Sequence, residues 1–286
     1  MSETSTGEMD IGMGTALRRA LPYLFLMLFA FWTLVPIVWM ILSSLKYQTG
    51  MFEMPPTIIF DPNLTNYHDV LVGDTPVVSN ITNSVIVAVA STAVATFFGA
   101  IGGYGLSRTD ISGKKHLAFW IISTRMAPMA VVIVPLWFLF RYADLLGTRV
   151  GLVIVYSTFN VPFAIWLMRS FFDEIPVSIE EAAIVDGATR WEAFRYVSLP
   201  LAAPGLGATA IISLIFAWND FLFALVFTGQ DTQTLPVAVA SMQSLGGLGW
   251  GTIFASGTLV IIPVAVFGYI VRDYLVSGLS MGAVKE

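Results

Sequence analysis

The chain has 286 residues, 56% of them apolar and only 12% charged, with a net charge of −5 at neutral pH and no cysteine. That balance lies far outside the range of a water-soluble domain and requires a bilayer. The absence of cysteine excludes disulfide, zinc–thiolate and thiol chemistry; the two histidines, His68 and His116, are isolated in separate loops, so no metal site is expected, and nothing in the charge pattern suggests a nucleic-acid surface.

A hydrocarbon core of about 30 Å needs about 20 mostly apolar residues per helix. Six segments reach that length. Residues 1–21 form a tail that leads into the first span, 22–45. This span is too long for a cleaved signal and its leader, 1–10, is acidic, so it is expected to remain as an anchor. A loop over 46–77, rich in Pro, Asp and Asn, separates it from a core unit over 78–276. Within that unit the apolar runs 78–106, 116–140, 151–172, 201–227 and 251–276 predict five more spans, and 277–286 form a closing tail. The predicted fold class is therefore all-α, a polytopic membrane protein with six transmembrane helices.

Loop charges set the orientation. With the N-terminus in the cytoplasm, the inner side carries Arg18, Arg19, Arg108, Lys114, Lys115, Arg169, Arg190, Arg195, Arg272 and Lys285. The outer side carries only Lys46, Arg141 and Arg149, and Arg125 falls inside a span. Ten against three places both termini inside. The outer loop over 228–250 has no Lys or Arg and ends in Gly246-Gly247-Leu248-Gly249, a run expected to be a flexible contact loop.

Within the spans, Gly99 and Gly103 form a GxxxG that permits close helix approach, and Pro36, Pro128, Pro135, Pro162 and Pro263 mark possible bends. Charged and amide groups in hydrocarbon are costly unless paired or facing a cavity, so Arg125, Asn160, Asn219 and Asp220 are candidates for a translocation path, with Trp218 beside them. At about 1.5 Å rise per residue, Asn160 and Arg125 lie near the midplane and Asp220 in the outer third.

Between the fourth and fifth spans lies a charged island, residues 178–204, SIEEAAIVDGATRWEAFRYVSLPLAAP. Ser178 with Glu181 reads as a capping box opening a short helix. Gly187 is placed to stop it in a left-handed turn, and a second short helix over 191–197 precedes the turn at Leu199-Pro200. The string Glu181-Ala182-Ala183, Asp186, Gly187, Ala188, Phe194, Leu199, Pro200, Leu201, Pro204 resembles the "EAA" loop of permease subunits of bacterial ABC importers, in their carbohydrate-uptake, MalG-like branch; Val197 stands where Ile is common. Trp218-Asn219-Asp220-Phe221 resembles the WN(D/E)F string of the same branch. Asn66-Tyr67 resembles the family's region before its second core helix, and the ending over 274–285 resembles its terminal GLTxGAVK pattern.

The resemblance implies a type I importer permease fold. It also implies an ATPase-coupling role for Glu181, Ala182, Ala183, Asp186, Gly187, Ala188, Phe194, Leu199 and Pro200. Its implied partners are a second permease, two cytoplasmic ATPases, an external solute-binding protein and a sugar or polyol. No GxxxxGK[ST] string occurs, so ATP and Mg are expected on the ATPases rather than here, with no cofactor in this chain and no enzymatic role. An ion-coupled secondary transporter is the alternative class. It calls for inverted repeats around broken helices, and no convincing internal repeat is found.

Overall fold

Two glycines one helical turn apart let two long helices approach closely. The computed structural model describes residues 7–73, 77–242 and 249–283, with side-chain surroundings for 20–73, 77–242 and 249–270. Helix α3 (Val78–Arg108) runs parallel to α6 (Arg149–Glu174). A Cβ on Gly99 would stand 2.6 Å from the Ala164 Cβ, and one on Gly103 would stand 2.7 Å from the Arg169 backbone N and 2.8 Å from the Met168 Cβ. The GxxxG is therefore a helix–helix seam. The alignment holds along its whole length, since Asn83 meets Arg149 near one end and Ser107 meets Asp173 near the other, both pairs 66 residues apart.

Gly103→Val is expected to force this seam open and lower the unfolding stability in detergent by about 1–3 kcal/mol. Gly105→Ala, where an added Cβ meets nothing within 4 Å, should leave the melting temperature unchanged or slightly raised.

The other helices assemble around this pair. They are α1 (Gly7–Ser44), α2 (Thr65–Leu71), α4 (Lys114–Ser123), α5 (Met129–Tyr142), α7 (Val177–Val185), α8 (Arg190–Ala193), α9 (Leu199–Leu201), α10 (Ala203–Asn219), α11 (Leu222–Phe227), α12 (Leu235–Met242) and α13 (Trp250–Ala283). Among the described residues there is no strand. Among the described residues four helices are long and apolar enough to cross a membrane, and six spans result if each of two bent pairs counts as one.

One of those bends and a separate interruption revise two expected spans; the other bent pair, at 73°, breaks at Ala202, where the chain re-enters the bundle. The third is broken between α4 and α5, which meet at 91°. Pro128 has no N–H and drives Ala127 into extended backbone, so the helix stops in the short 3-10 turn Thr124–Met126 that carries Arg125. The fifth is interrupted at Asp220, whose backbone is extended (φ −67, ψ 128). Its carboxylate Oδ1 accepts the Ala224 N–H at 3.2 Å, so the side chain starts α11 instead of continuing α10. Pro36, Pro135, Pro162 and Pro263 lie inside continuous helices.

At the end of α3 that carries Asn83, hereafter the far end, the chain over 228–242 is held by side-chain hydrogen bonds from α3. Asn83 Nδ2 donates to the Asp231 and Gln233 carbonyls at 2.9 and 3.0 Å, and its Oδ1 accepts from Arg149 Nε at 2.7 Å. Asn80 Nδ2 donates to the Gln233 carbonyl, and Ser84 Oγ accepts the Leu235 N–H at 2.8 Å. Leu235 and Val237 are buried. The run 246–248 lies outside the described residues. Asn83 is fully buried, so Asn83→Leu strands the Arg149 guanidinium and two carbonyls. We expect a loss of about 1–3 kcal/mol, read as a lower unfolding midpoint.

Asn66-Tyr67 ties the same end together. Asn66 Nδ2 donates to the Ser44 and Lys46 carbonyls, and Tyr67 Oη pairs with Ser44 Oγ at 2.7 Å. A Cβ on Gly251, at the start of α13, would stand 2.2 Å from Asn66 Oδ1. The loop after α1 is thereby clamped between α1 and α13.

Candidate functional site

At the opposite end of the bundle, hereafter the loop end, residues 176–204 form a helix-turn-helix. Its start differs from the expected capping box. Pro176, with φ already at −57°, precedes a helix that begins at Val177, and no side chain caps it. Ser178 and Glu181 are both exposed. A capping box does form one element later. Thr189 Oγ1 accepts the Glu192 N–H at 3.2 Å, while Glu192 Oε2 accepts from the Thr189 N–H at 2.8 Å and its hydroxyl at 2.7 Å, opening α8. Those two bonds hold the Glu192 carboxyl below the usual carboxylate range.

Between the two helices, Gly187 adopts φ +97. The Gly187 N–H reaches the Ile184 carbonyl at 3.1 Å and the Ala188 N–H reaches the Ala183 carbonyl at 3.0 Å. This is a Schellman turn, whose left-handed residue strongly favours glycine. After α8 the chain widens into a π-helical stretch, Phe194–Ser198, and re-enters the bundle through α9.

The loop has an inner and an outer face. Inside, Phe194 is 4% exposed and packs on Tyr104 (ring centroids 4.6 Å apart), Phe172 (6.2 Å) and Trp191 (5.2 Å). Glu180 is also inside, at 5% exposed. Its Oε1 accepts from Arg108 Nε at 2.7 Å and its Oε2 from Tyr104 Oη at 3.0 Å. Outside, Glu181, Ala182, Asp186 and Gly187 are exposed, Ala183 and Ala188 half-buried, and Val185 is 85% exposed with Ile184 beside it. Leu199 is half-buried and Pro200 exposed where the chain returns. The outer face thus offers small and apolar groups flanked by two carboxylates, a composition suited to protein contact.

Sequence reasoning missed Glu180. Neighbouring residues on a helix do not share a face, so of the pair Glu180-Glu181 only one can turn inward. That much was readable; which of the two turns inward was not.

A second feature lies deeper among the spans. A cavity of about 410 Å³ is lined by Arg125 and Met129 from the broken third span, Tyr156 and Asn160 from α6, and Asn219 and Asp220 from the second break. Four of the five polar candidates, Arg125, Asn160, Asn219 and Asp220, are therefore brought together. Trp218 is not. It is 2% exposed, its indole N–H donates to the Val260 carbonyl at 3.3 Å, and its ring meets Phe267. The reason is rotation: consecutive residues at the end of α10 point to different sides, and Trp218 faces α13.

Arg125 lies over the Phe163 and Phe216 rings, 4.7 and 4.1 Å from their centroids, with Nη1 3.4 Å from the Phe159 carbonyl. The ring faces stabilise the half-buried guanidinium. Asn160 Nδ2 is 3.3 Å from the Ser213 carbonyl, and Asn219 Nδ2 donates to the Ile215 carbonyl at 2.8 Å. Each amide keeps its carbonyl oxygen as an acceptor.

Tyr156 is a lining residue the sequence reading did not pick out. It is 3% exposed, and its hydroxyl sits beside the Asp220 carboxylate. The readable signal was its spacing: it precedes Asn160 by one helical turn, on the same face.

A helical bundle with two broken spans, an amide-lined cavity between them and an anchored helix-turn-helix at one end defines a membrane transport subunit. Residues 111–281 match the family described as "Binding-protein-dependent transport system inner membrane component". The chain is 36% identical over 268 residues to a probable ABC transporter permease protein, y4oR, of Sinorhizobium fredii, covering 94% of this chain and 96% of that one. It is 37% identical to the trehalose transport system permease protein SugB of Mycobacterium tuberculosis (89% and 93% covered) and 31% identical to the trehalose/maltose transport system permease protein MalG of Thermococcus litoralis (94% and 98% covered). The protein belongs to this family of inner-membrane permease subunits of ABC transporters. Its fold superposes on a chain in the crystal structure of a bacterial ABC transporter involved in the import of the acidic polysaccharide alginate, with a TM-score of 0.74 at 24% identity, covering 96% of this chain and 99% of that one.

Proposed function

We propose that the chain is one of two permeases of an ATP-driven importer for a carbohydrate or polyol, coupled through the α7 loop to two ATPases. A solute-binding protein delivers cargo at the far end. Both termini lie in the cytoplasm, a reading the excess of positive charge on one side supports, so the loop end meets the ATPases and the far end faces outward. ATP and Mg belong to the ATPases; this chain supplies the path and the mechanical linkage, without a cofactor or catalysis of its own.

The observation that carries this reading is the two-faced α7 loop. Its inner face is fixed to the bundle by Glu180 and Phe194, while its outer face presents Glu181, Ala182, Asp186 and Gly187 exposed. A loop that served only as a connector would not need a rigid seat under an exposed apolar ridge.

The cargo class follows from the cavity and from the relatives. Amides, a carboxylate and a tyrosine hydroxyl beside aromatic rings suit a molecule with hydroxyls on its edges and C–H groups on its faces. The trehalose and maltose in the relatives' names make these two sugars the first probes. In proteoliposomes holding the whole assembly, uptake is expected to require internal ATP and the binding protein. Uptake driven by an ion gradient without ATP would contradict the proposal.

A further inference from the structure

The docking helix α7 follows α6 in sequence, yet it is bolted to a different span. Arg108, the last residue of α3, is the hub. Its Nε donates to Glu180 Oε1 at 2.7 Å, its Nη2 to the Ile175 carbonyl at 2.8 Å in the link between α6 and α7, and its Nη1 to Ser107 Oγ at 2.9 Å. Ser107 Oγ in turn donates to Asp173 Oδ1. One turn back on α3, Tyr104 donates to the other Glu180 oxygen and stacks edge-on against Phe172. The Arg108 and Glu180 side chains are 8% and 6% exposed, so the pair is screened from salt and water and holds one geometry.

The other end of α3 carries the far-end clamp: Asn80, Asn83 and Ser84 hold the chain over 231–235. The helix has 31 residues, which at about 1.5 Å each spans about 46 Å. One rigid element therefore has the docking helix fixed to one end and the outward loop fixed to the other.

We infer that the Glu180–Arg108 ion pair is the joint through which the ATPase-docking helix drives α3, making Glu180, Arg108 and Tyr104 positioning residues of the transport cycle. The inference rests on the proposed ATPase coupling. It adds that force reaches the far end along α3 rather than along the chain through α6. Neutralising Glu180 leaves the exposed docking face unaltered but frees α3 from it. ATPases would then bind and hydrolyse ATP while the far end no longer responds.

The test uses the complete transporter purified from its native host, with ATP plus vanadate as the probe. The chain has no cysteine, so Gln230→Cys gives one labelling position in this subunit, exposed and next to the clamped segment. In the otherwise unaltered chain, ATP plus vanadate should change the fluorescence of an environment-sensitive label there. With Glu180→Gln the fluorescence response to ATP plus vanadate is expected to fall on the order of tenfold, with the ATPases retained in the complex and their hydrolysis, measured without vanadate, preserved. The charge swap Glu180→Arg with Arg108→Glu should recover part of it, and Tyr104→Phe should lower it only a few-fold. A full response in Glu180→Gln overturns the inference. So does loss of the assembled complex in Glu180→Gln with a normal response in Tyr104→Phe, because the pair would then be a folding element alone. An unaltered complex that gives no ATP response contradicts the proposed function itself, and the joint falls with it.

Discussion

Gly187→Asp is expected to reduce solute uptake by more than a hundredfold while the chain still inserts and folds. Space is not the obstacle, since a Cβ at Gly187 would meet nothing within 4 Å. Two other effects act. The residue sits at φ +97, where a side chain costs about 1–3 kcal/mol of backbone strain; the bundle survives that, because the turn is exposed and the rest of the loop is seated on Phe194 and Glu180. The larger effect is the new carboxylate, placed beside Glu181 and Asp186 on the face proposed to enter the ATPase. An unpaired charge in such a contact costs several kcal/mol, and each 1.4 kcal/mol is about tenfold in affinity. Gly187→Ala separates the two effects, because it carries the strain without the charge. Its uptake should fall only a few-fold, and co-purified ATPase should drop far more for Asp than for Ala. Equal losses in both variants would assign the effect to the turn geometry.

The second large effect is expected at Asp220. Asp220→Ala removes a carboxylate from the cavity wall and also the acceptor that starts α11 by taking the Ala224 N–H. Loss of a charged acceptor for a solute hydroxyl is worth about 1.5–3 kcal/mol, or roughly ten- to a hundredfold in the concentration giving half-maximal uptake. Loss of the cap adds about 1 kcal/mol of helix stability. Asp220→Asn keeps a capping oxygen and removes only the charge. If Asp220 contacts the solute, Asn should show the uptake defect with near-normal thermal stability, whereas Ala shows both. ATPase retention should be normal in each. Normal uptake in Asp220→Asn with a stability loss in Asp220→Ala would make the residue a cap and nothing more.

How far the sequence reached depends on which interaction decides each feature. Span placement was legible because it is set by composition summed over about 20 residues, and four of the six predicted runs appear as single helices. The two breaks were not, because a window sum ignores the missing N–H of Pro128 and the capping carboxylate of Asp220. The left-handed turn at Gly187 was legible from local chemistry, as was the Gly99–Gly103 seam. The capping box was misplaced by one element: Ser178/Glu181 and Thr189/Glu192 both fit the pattern, and only the Pro176 start and the inward turn of Glu180 decide between them. Gathering Arg125, Asn160, Asn219 and Asp220 around one cavity follows from packing three separate stretches of chain. Residue depth suggested it, but depth carries no angular information, which is why Trp218 was included and Tyr156 omitted. The buried Glu180–Arg108 pair joins residues 72 apart and leaves no trace in any local pattern.

The central claim, that the outer face of α7 is where ATPases engage this subunit, is tested most directly by cross-linking from that face. Val185 is 85% exposed on it, and the chain contains no cysteine. Val185→Cys carrying a photoactivatable maleimide, in membranes of the native host, should capture an ABC ATPase, in a yield that changes when ATP is added and that falls with Gly187→Asp. Capture of lipid alone, or of no ATPase at any nucleotide state in a chain that still supports uptake, would contradict the account.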